Sequence, residues 1–430
     1  MAEELADQPM GTAEELADQP MGTAEELADQ PMGTAEELAD QEFVFTEEQA
    51  QLRAAVRKFC ADHVDESAVR RWMESHPPFD PKVWARLGSE LGVLGMSVPE
   101  ADGGVGGTLI DQAVAVEELG AVLACGPLFG TVYLAIPALV ASSQSPARSA
   151  LLAQLLDGTR TAAFAVADDA GAFDPAAVAV EAVDTGGEWT LNGTVERVVD
   201  AGAADVILVA ATGPDGLGLF AVDADSVGVQ RISLGTLDLT RPQATVGLVG
   251  AAAQLIAGPD EAERVITHAL QVGGALLAVE QVGAAQHLLD LTVDYAKARL
   301  QFGRPIGSFQ AVKHRLADDL VAIEHARSSA YHAVWALAHR LEVPDDPALA
   351  VSIAQATCSA AGVRVASDAI QVHGGIGFTW EHQAHLYYKR AYTDAALLGN
   401  AEQHRTQVAR FVLDVAPDRD APRVATGIPT

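Results

Sequence analysis

The apolar residues in the first folded part of this chain, between residues 43 and 157, recur at helical spacing. This pattern predicts helices at about 46–60, 80–92, 109–122 and 127–142. The first predicted helix begins after Thr46, whose hydroxyl can cap it, and acidic residues follow in its first turn. We therefore expect a helical domain in this part of the chain.

The spacing of the apolar residues changes in the middle of the chain and becomes helical again after it. From 158 to 258 the apolar runs are short, glycine, aspartate and proline separate them, and Asp-Gly and Asn-Gly pairs indicate tight turns. We expect a β-barrel-like domain here. From 259 to 414 the helical spacing returns in long stretches, which favours an antiparallel bundle. It predicts helices at about 261–298, 308–341, 346–371 and 382–414.

The first 40 residues are a repeat that offers little to bury. The unit Ala-Glu-Glu-Leu-Ala-Asp-Gln-Pro-Met-Gly-Thr occurs at 2–12, 13–23 and 24–34, and begins again at 35–40. Its Pro-Met-Gly break prevents one continuous helix, and each copy is acidic. We expect residues 1–42 to be a disordered acidic tail, with a docking arm as the functional alternative. Residues 415–430 are expected to be a second, flexible tail.

Composition and charge narrow the class of protein. The chain has 430 residues, of which 49% are hydrophobic, and a formal net charge of -32. The length allows two or three domains, and the charge argues against binding to nucleic acid or to an anionic membrane. We expect no membrane span, because no apolar run approaches the ~20 residues that one needs. Cys60, Cys125 and Cys358 lie far apart, which indicates reduced core thiols in a cytoplasmic protein.

Two segments near the C-terminal end carry the most specific chemistry. Residues 299–310 read Arg-Leu-Gln-Phe-Gly-Arg-Pro-Ile-Gly-Ser-Phe-Gln, and residues 371–378 read Gln-Val-His-Gly-Gly-Ile-Gly-Phe. The guanidinium of Arg299 has fixed donors that suit a pyrophosphate, and Phe302 offers an apolar face. The paired glycines of the second segment expose backbone N–H groups at a predicted helix end. The structural alternatives are that Arg299 complements a helix C-terminus, that Phe302 fills the core and that the glycines cap a helix.

Together the two segments resemble the acyl-CoA dehydrogenase family, and the resemblance runs from about residue 43 to about residue 414. It implies an α+β fold with an N-terminal helical domain (43–157), a middle β-barrel domain (158–258) and a C-terminal four-helix bundle (259–414). It also implies that both segments contact the ADP part of an FAD held mainly by a neighbouring subunit. We expect His373 to be an oriented structural histidine, with a catalytic base as the alternative. The FAD contacts carried over by the resemblance are Arg299, Gln301, Phe302, Gln310, Gln371, Gly374 and Gly375.

Glycines stand at both positions where the resemblance places a catalytic base. Dehydrogenation of a thioester requires a carboxylate that removes the α-proton while the β-hydrogen leaves as a hydride to the flavin. The two base positions are Gly399 and Gly273, and neither can abstract a proton. Glu280, about two helical turns beyond Gly273, and Glu402, three residues beyond Gly399, are the candidates for a displaced base. The alternative is that each is a surface or interface carboxylate.

The middle domain departs from the family as well. The stretch that hydrogen-bonds the flavin in the family corresponds to residues 167–173, which read Ala-Asp-Asp-Ala-Gly-Ala-Phe. Two aspartates beside a reduced flavin or a pyrophosphate are electrostatically unfavourable. Arg197 follows Asn192-Gly193, where the family often has a tryptophan that packs on the flavin ring. The half-site for this chain's own flavin is therefore degraded, whereas the half that reaches a neighbour's flavin is intact.

These features predict one subunit of a heteromer. The chain resembles the flavin-contacting, non-catalytic subunit of two-gene acyl-CoA dehydrogenases of actinobacterial steroid side-chain catabolism. The resemblance implies an α2β2 heterotetramer, a partner subunit that supplies the base, an acyl-CoA substrate and an electron-transfer acceptor. Two alternatives stay open: a self-sufficient homotetrameric dehydrogenase with a displaced base, and a non-enzymatic flavin-binding scaffold or regulator.

Overall fold

The computed structural model describes residues 44–166, 173–339 and 346–413. The predicted tails at 1–42 and 415–430 lie outside the described residues. From Phe45 onward the described residues pack as one compact unit.

Helices form the N-terminal part of the described chain, as predicted. The first begins at a capping box, in which the Thr46 hydroxyl accepts from the Gln49 backbone N–H and the Gln49 side chain accepts from the Thr46 backbone N–H. The helices are α1 (Glu47–His63), α2 (Glu66–Trp72), α3 (Pro81–Ser89), α4 (Leu109–Ala121), a π-helical segment (Leu128–Ala135), α5 (Ile136–Ala141) and α6 (Pro146–Leu156).

The middle of the chain forms a barrel, which confirms the predicted β-barrel-like domain. The strands are β1 (Ala162–Ala165), β2 (Glu181–Asp184), β3 (Trp189–Val199), β4 (Val206–Gly213), β5 (Gly216–Asp223), β6 (Val229–Ser233) and β7 (Gln243–Ala257). Neighbours follow the order β4-β2-β3-β7-β5, and β5 pairs back onto β4 to close the ring. β1 lies parallel to β4, and β6 lies antiparallel to β7. Small apolar side chains such as Ile207 and Val246 fill the interior.

The predicted Asn-Gly turn is wrong at Asn192-Gly193. This pair lies inside β3, where Asn192 is paired with Val249 and Gly193 with Leu248 of β7. The side-chain oxygen of Asn192 accepts from the Gly250 backbone N–H at 2.8 Å, and the register shifts between Leu191 and Asn192. The pair therefore marks an irregularity within a strand, because a side-chain hydrogen bond across the ladder replaces the expected reversal of the chain.

Helices return after the barrel. They are α7 (Ala262–Ala298), α8 (Gln310–Ala338), α9 (Pro347–His373), α10 (Ala384–Asp394) and α11 (Ala401–Leu413), and a small hairpin of β8 (Leu300–Gln301) and β9 (Arg304–Pro305) follows α7. The single helix predicted at 382–414 is wrong. Leu398 and Gly399 have φ angles of 54° and 96°, which a right-handed helix cannot contain, and the Asn400 side chain then caps α11.

The long helix α7 forms the centre of the core. α4 crosses it closely, since a Cβ on Gly283 would lie 1.9 Å from the Glu117 carbonyl oxygen. Two described helical stretches, Ala262–Ala298 and Pro347–Phe378, are long and apolar enough to span a membrane by length and composition, contrary to the expectation from apolar runs alone. However, 78% and 61% of their apolar windows are buried inside the protein, as in core helices.

The three cysteines are free and buried, as predicted. Burial raises the pKa of Cys60 and of Cys125 to about 12. Their thiols therefore stay protonated and serve as core packing.

Candidate functional site

A tight hairpin at the end of α7 presents the first predicted segment. Gln301 of β8 pairs with Arg304 of β9, and the two turn residues between them, Phe302 and Gly303, have φ angles of 51° and 74°. Positive φ at both central positions is typical of a type I′ turn, although it is strained for phenylalanine. The turn leaves Phe302 91% exposed. The alternative that Phe302 fills the core is therefore wrong.

The second predicted segment lies where α9 ends. Gly374 has φ 63° and ψ -142°, close to a region that essentially only glycine occupies. Gly375 is different, because it does not have a positive φ. A Cβ on either residue would meet nothing within 4 Å. Neither backbone conformation nor packing in this chain requires a glycine at position 375, which is what the close approach of an outside ligand would explain.

Tyr295 connects these two segments. It lies in the last turn of α7, its hydroxyl donates to the carbonyl oxygen of His373 at 3.3 Å, and the two rings lie 4.4 Å apart. His373 is buried, and its Nδ1 donates to the Ala369 carbonyl oxygen at 2.8 Å. Burial lowers the pKa of His373, so that the ring stays neutral. This geometry agrees with the structural role predicted for His373.

All seven predicted FAD contacts lie on the surface around the hairpin, the start of α8 and the end of α9. Arg299 makes no side-chain hydrogen bond or ion pair with any described residue, so it is available to a ligand. Leu300, Phe378 and Trp380 add exposed apolar area, with exposed fractions of 62%, 69% and 56%. A surface of this kind is typical of an interface. The seven exposed residues are Arg299, Gln301, Phe302, Gln310, Gln371, Gly374 and Gly375.

A cleft of about 710 Å³ opens between the barrel and the helices. Its described lining is mostly apolar, with Phe129, Phe164 and Leu397 among the lining residues. The volume is within the range of small-molecule sites. Glu196 is the one carboxylate among the described lining residues, and it is adjacent to Arg197.

Glu196 and Arg197 lie in a bulge of β3. The register with β7 shifts between Val195 and Val198, and Arg197 has a φ of 57°. A bulge re-aims side chains, and here it turns both charged residues to the cleft. The alternation of apolar residues along β3 does not show this bulge, which is why Glu196 was not predicted.

Both family positions for the base are closed to a carboxylate. Gly399 is buried and has a φ of 96°, so a glutamate there would be strained. At Gly273, a Cβ would lie 2.4 Å from a methyl group of Leu134, so a side chain there would require that leucine to move. Glycine at both positions leaves no carboxylate there, and a replacement would be strained at Gly399 and would displace Leu134 at Gly273.

Glu280 belongs to a buried ion cluster. It accepts hydrogen bonds from Arg241 at 2.6 and 2.7 Å, from Arg390 at 2.5 Å and from the Tyr133 hydroxyl at 2.9 Å. Burial alone would raise the pKa of Glu280, but Arg241 and Arg390 together lower it to about 2. A carboxylate stabilised in this way is a poor general base, and the geometry contradicts Glu280 as a displaced base.

The same cluster joins the barrel to the helices. Arg241 also donates to Asp394 at 2.6 Å, and Arg390 donates to Asp238 at 2.9 Å. Three carboxylates thus face two guanidinium groups in a buried site. Burial raises the pKa of Asp394 to about 7, which agrees with an excess of one carboxylate.

The second displaced-base candidate lies on the outside of the chain. Glu402 lies in the first turn of α11, its side chain is 81% exposed, and it forms an ion pair with Arg405. It is not among the described residues that line the cleft. The aspartate pair in the changed middle-domain stretch lies at 167–172, outside the described residues.

A helical domain, a β-barrel and a second helical domain around one cleft define the fold of an acyl-CoA dehydrogenase. The family model for the acyl-CoA dehydrogenase N-terminal domain matches residues 46–159, and the model for the C-terminal domain matches residues 263–413. The chain belongs to the acyl-CoA dehydrogenase family, whose members are FAD-dependent oxidoreductases that act on CH–CH bonds.

Known relatives support this assignment along the whole described chain. Acyl-CoA dehydrogenase IpdE2 of Mycolicibacterium smegmatis is 36% identical over 370 residues, which are 86% of this chain and 99% of that protein. A variant of the Tcur3481-Tcur3483 steroid ACAD has a TM-score of 0.76 and 31% identity, covering 86% of this chain and 98% of that one. A chain of the ChsE4-ChsE5 complex of Mycobacterium tuberculosis has a TM-score of 0.77 and 28% identity, and the match covers 89% of this chain and 100% of that one.

FAD is the cofactor of this family, and the exposed surface fits its ADP part. The unpartnered guanidinium of Arg299 suits a pyrophosphate, and the exposed ring of Phe302 suits an adenine face. Gln301 and Gln310 add exposed amide groups in the hairpin and at the start of α8. The open space at Gly375 would let a ligand approach the backbone.

Proposed function

We propose that this chain is the non-catalytic subunit of an α2β2 heteromeric acyl-CoA dehydrogenase. Its exposed surface at Arg299, Phe302 and Gly375 binds the ADP part of an FAD held mainly by a partner subunit. The partner supplies the carboxylate that removes the α-proton of an acyl-CoA thioester, and FAD, when bound, would supply the hydride acceptor for the β-hydrogen. The further partner is an electron-transfer acceptor, and the complex is cytoplasmic.

The closed base positions carry this proposal. Gly399 is held in a left-handed conformation, Gly273 is blocked by Leu134, and Glu280 is bound in an ion cluster. Glu196 is the one carboxylate among the described residues that line the cleft, but its side chain is exposed to solvent, whereas a general base for an α-proton is usually tuned by burial. The proton step is therefore assigned to another subunit.

The exposed FAD contacts support a partner. The ring of Phe302 is 91% exposed and is therefore open to contact with a ligand or with a second chain. Exposed apolar side chains beside it bury surface when a second subunit docks. The surface is therefore half of a site that another chain completes.

The relatives favour a bulky substrate and a two-component enzyme. One structural neighbour is named a steroid ACAD and carries two component names, and another is named as the ChsE4-ChsE5 complex. We extend both features to this chain: a heteromer, and a steroid side-chain thioester as the acyl-CoA.

Co-expression with a second acyl-CoA dehydrogenase-like chain from the same organism tests this assignment, beginning with the product of any adjacent gene of that family. We expect the two chains to co-purify with bound flavin and to oxidise an acyl-CoA. Arg299→Ala should weaken flavin retention by about 10- to 100-fold, the range of a lost charged hydrogen bond. Lys297→Ala, an exposed cation two residues earlier, is the matched control and should retain the flavin.

The two alternatives predict different outcomes of the same preparation. A homotetrameric enzyme with its own base would be yellow and active without a partner, and Glu196→Gln would then abolish its turnover. A scaffold would bind FAD or the partner, and the complex would show no turnover. Full flavin content in the Arg299→Ala complex would contradict the assigned ADP site.

A further inference from the structure

A second group of charged side chains joins the start of α8 to the end of α9. The Arg315 guanidinium of α8 donates to the carboxylate of Asp368 in α9. From α9, Nε of Arg364 lies 3.3 Å from Oδ1 of Asp319, and its Nη2 lies 3.4 Å from Oδ2 of Asp318. We call these five residues the α8–α9 charge network. No described side chain of α7, α10 or α11 forms an ion pair with it.

The network fixes the register of the two helices. Arg315 pairs with Asp368. Asp319, four residues further along α8, pairs with Arg364, four residues earlier in α9. The two helices are therefore antiparallel where they meet, and the same register holds over at least one helical turn.

The next turn in this register brings two predicted FAD contacts together. Gln371 lies three residues beyond Asp368, and the matching position three residues before Arg315 is Val312. Val312 lies in the first turn of α8, which begins at Gln310. Gln310 and Gln371 are both exposed. The charge network therefore lies about one turn from a pair of adjacent helix ends that each carry an exposed amide.

Asp319 is the buried member of the network. Its side chain is 1% exposed, whereas the side chains of Arg364 and Asp318 are 47% and 69% exposed. Burial, followed by the negative charge of Asp368 and a hydrogen bond with it, raises the pKa of Asp319 to about 7, although Arg364 acts in the opposite direction. At pH 6 the two carboxyl groups therefore hold a proton between them, and at pH 8 both are charged.

Loss of this proton changes the balance of charge between the helices. With the proton in place, two carboxylates face the two guanidinium groups of Arg315 and Arg364. Without it, three carboxylates face them, and Asp319 and Asp368 repel each other where water screens them poorly. Because one of these two residues is in α8 and the other in α9, the repulsion acts to separate the helices.

We propose that Asp319 and Asp368 are positioning residues for the FAD contacts, and that their shared proton holds Gln310 and Gln371 at the separation that one flavin requires. Neither carboxyl group touches the cofactor, since both act through the two helix ends. The flavin is therefore released more readily as the pH rises from 6 to 8. This inference rests on the proposed function, because it takes the exposed surface as the ADP site.

The pH dependence of flavin binding by the co-purified complex tests this role. The wild type should bind FAD about 3- to 10-fold more weakly at pH 8 than at pH 6, because one linked proton with a pKa of about 7 changes an affinity by at most about 10-fold over that range. Asp319→Asn keeps the shape of a neutral carboxyl group and should bind FAD equally at both pH values. Equilibrium dialysis with flavin fluorescence measures both complexes.

Asp394→Asn is the matched control. Asp394 is also a buried carboxyl group whose pKa is raised to about 7, but it belongs to the ion cluster that joins the barrel to the helices. The control should therefore keep the pH dependence of flavin binding that Asp319→Asn removes. Loss of this dependence in Asp394→Asn, with its retention in Asp319→Asn, would overturn the inference.

Hydrogen exchange in the isolated chain tests the network without a partner subunit. After correction for the intrinsic effect of pH, the backbone amides of residues 310–316 and 368–373 should exchange about 3- to 10-fold faster at pH 8 than at pH 6. Asp319→Asn should remove this difference, because its side chain carries no charge at either pH. The expected ratio has the same origin as the ratio for flavin binding.

Two results on the unmodified chain would overturn the inference even if the variants failed to fold. One is equal affinity of the wild-type complex for FAD at pH 6 and pH 8, and the other is equal protection of these amides at both pH values. A complex that binds no flavin at either pH would instead contradict the proposed function. Hydrogen exchange in the isolated chain would still decide about the network, so the two failures are distinguishable.

Discussion

Gly374 and Gly375 are adjacent, but the presence of glycine has a different explanation at each position. Gly374 needs its backbone conformation, with φ 63° and ψ -142°, whereas Gly375 has neither a positive φ nor a crowded Cβ position. The first glycine therefore serves the fold of this chain. The second serves a molecule that lies outside it, in our account the FAD of the partner subunit.

Substitution by alanine separates these two reasons. Gly375→Ala should change the free energy of unfolding of the isolated chain by less than about 0.5 kcal/mol, because the added methyl meets only solvent. It should nevertheless weaken flavin retention in the complex. Gly374→Ala should destabilise the isolated chain by about 1–3 kcal/mol through backbone strain. Urea unfolding and flavin absorbance measure both, and a Gly375→Ala complex with full flavin would contradict this role.

The ion cluster under the cleft joins elements that are far apart in sequence. Arg241 enters from the barrel, Glu280 from α7, and Arg390 and Asp394 from α10. Removing one member of a buried pair leaves its partner charged and unpaired, which costs about 3–5 kcal/mol.

Arg241→Met should therefore lower the free energy of unfolding by about 3–5 kcal/mol. Arg405→Met, which breaks an exposed helical pair with Glu402, is the control and should change it by less than about 1 kcal/mol. Urea titration of the isolated chain measures both variants. Similar small losses in the two variants would show that the cluster does not hold the barrel on the helices.

Asp394 makes the stability of this element depend on pH. Its pKa is raised from 3.8 to about 7, so the folded chain keeps a proton that the unfolded chain releases above pH 3.8. Its contribution is present below that pH and is lost as the pH rises through 7. Asp394→Asn should remove this loss, so the wild type should weaken relative to the variant between pH 5 and pH 8. Parallel unfolding curves across that range would contradict the shift.

The local pattern of residues was sufficient to predict most of the long helices, but it was not sufficient to predict the buried ion cluster. The periodic burial of α7 depends on neighbouring residues, so the helix predicted at about 261–298 is found at Ala262–Ala298. The break at Leu398 was not, because a leucine with a positive φ has no sequence signature. Arg241 and Asp394 lie 153 residues apart, and no spacing rule connects them.

At the scale of the whole molecule, our proposal assigns a second subunit to the exposed surface around Arg299, Phe302 and Gly375. The candidate residues could be named from the sequence because Arg299 to Gln310 and Gln371 to Gly375 are two short, contiguous segments. Their exposure was not predictable, because it depends on how α7 and α9 end against each other at Tyr295 and His373. Because these candidate residues are exposed, a second subunit can contact them, as our proposal requires.

Phe302→Ser tests that interface without disturbing the chain. The ring is 91% exposed, so the free energy of unfolding of the isolated chain should change by less than about 0.5 kcal/mol. The affinity for the partner subunit should fall about 10-fold or more, as for a buried aromatic anchor. Val227→Ser, at a residue that is 94% exposed on the barrel, is the control and should leave the affinity unchanged. Equal affinities of the two variants in sedimentation or calorimetry would place the interface elsewhere.

Anaerobic flavin reduction by the isolated chain tests the central claim most directly. The chain is mixed with an excess of FAD and an acyl-CoA thioester, flavin absorbance is followed, and the partner subunit is then added. The account predicts no bleaching of the flavin until the partner is present, because both base positions are closed glycines. Rapid bleaching by this chain alone would show that it performs the proton chemistry itself and would contradict the account.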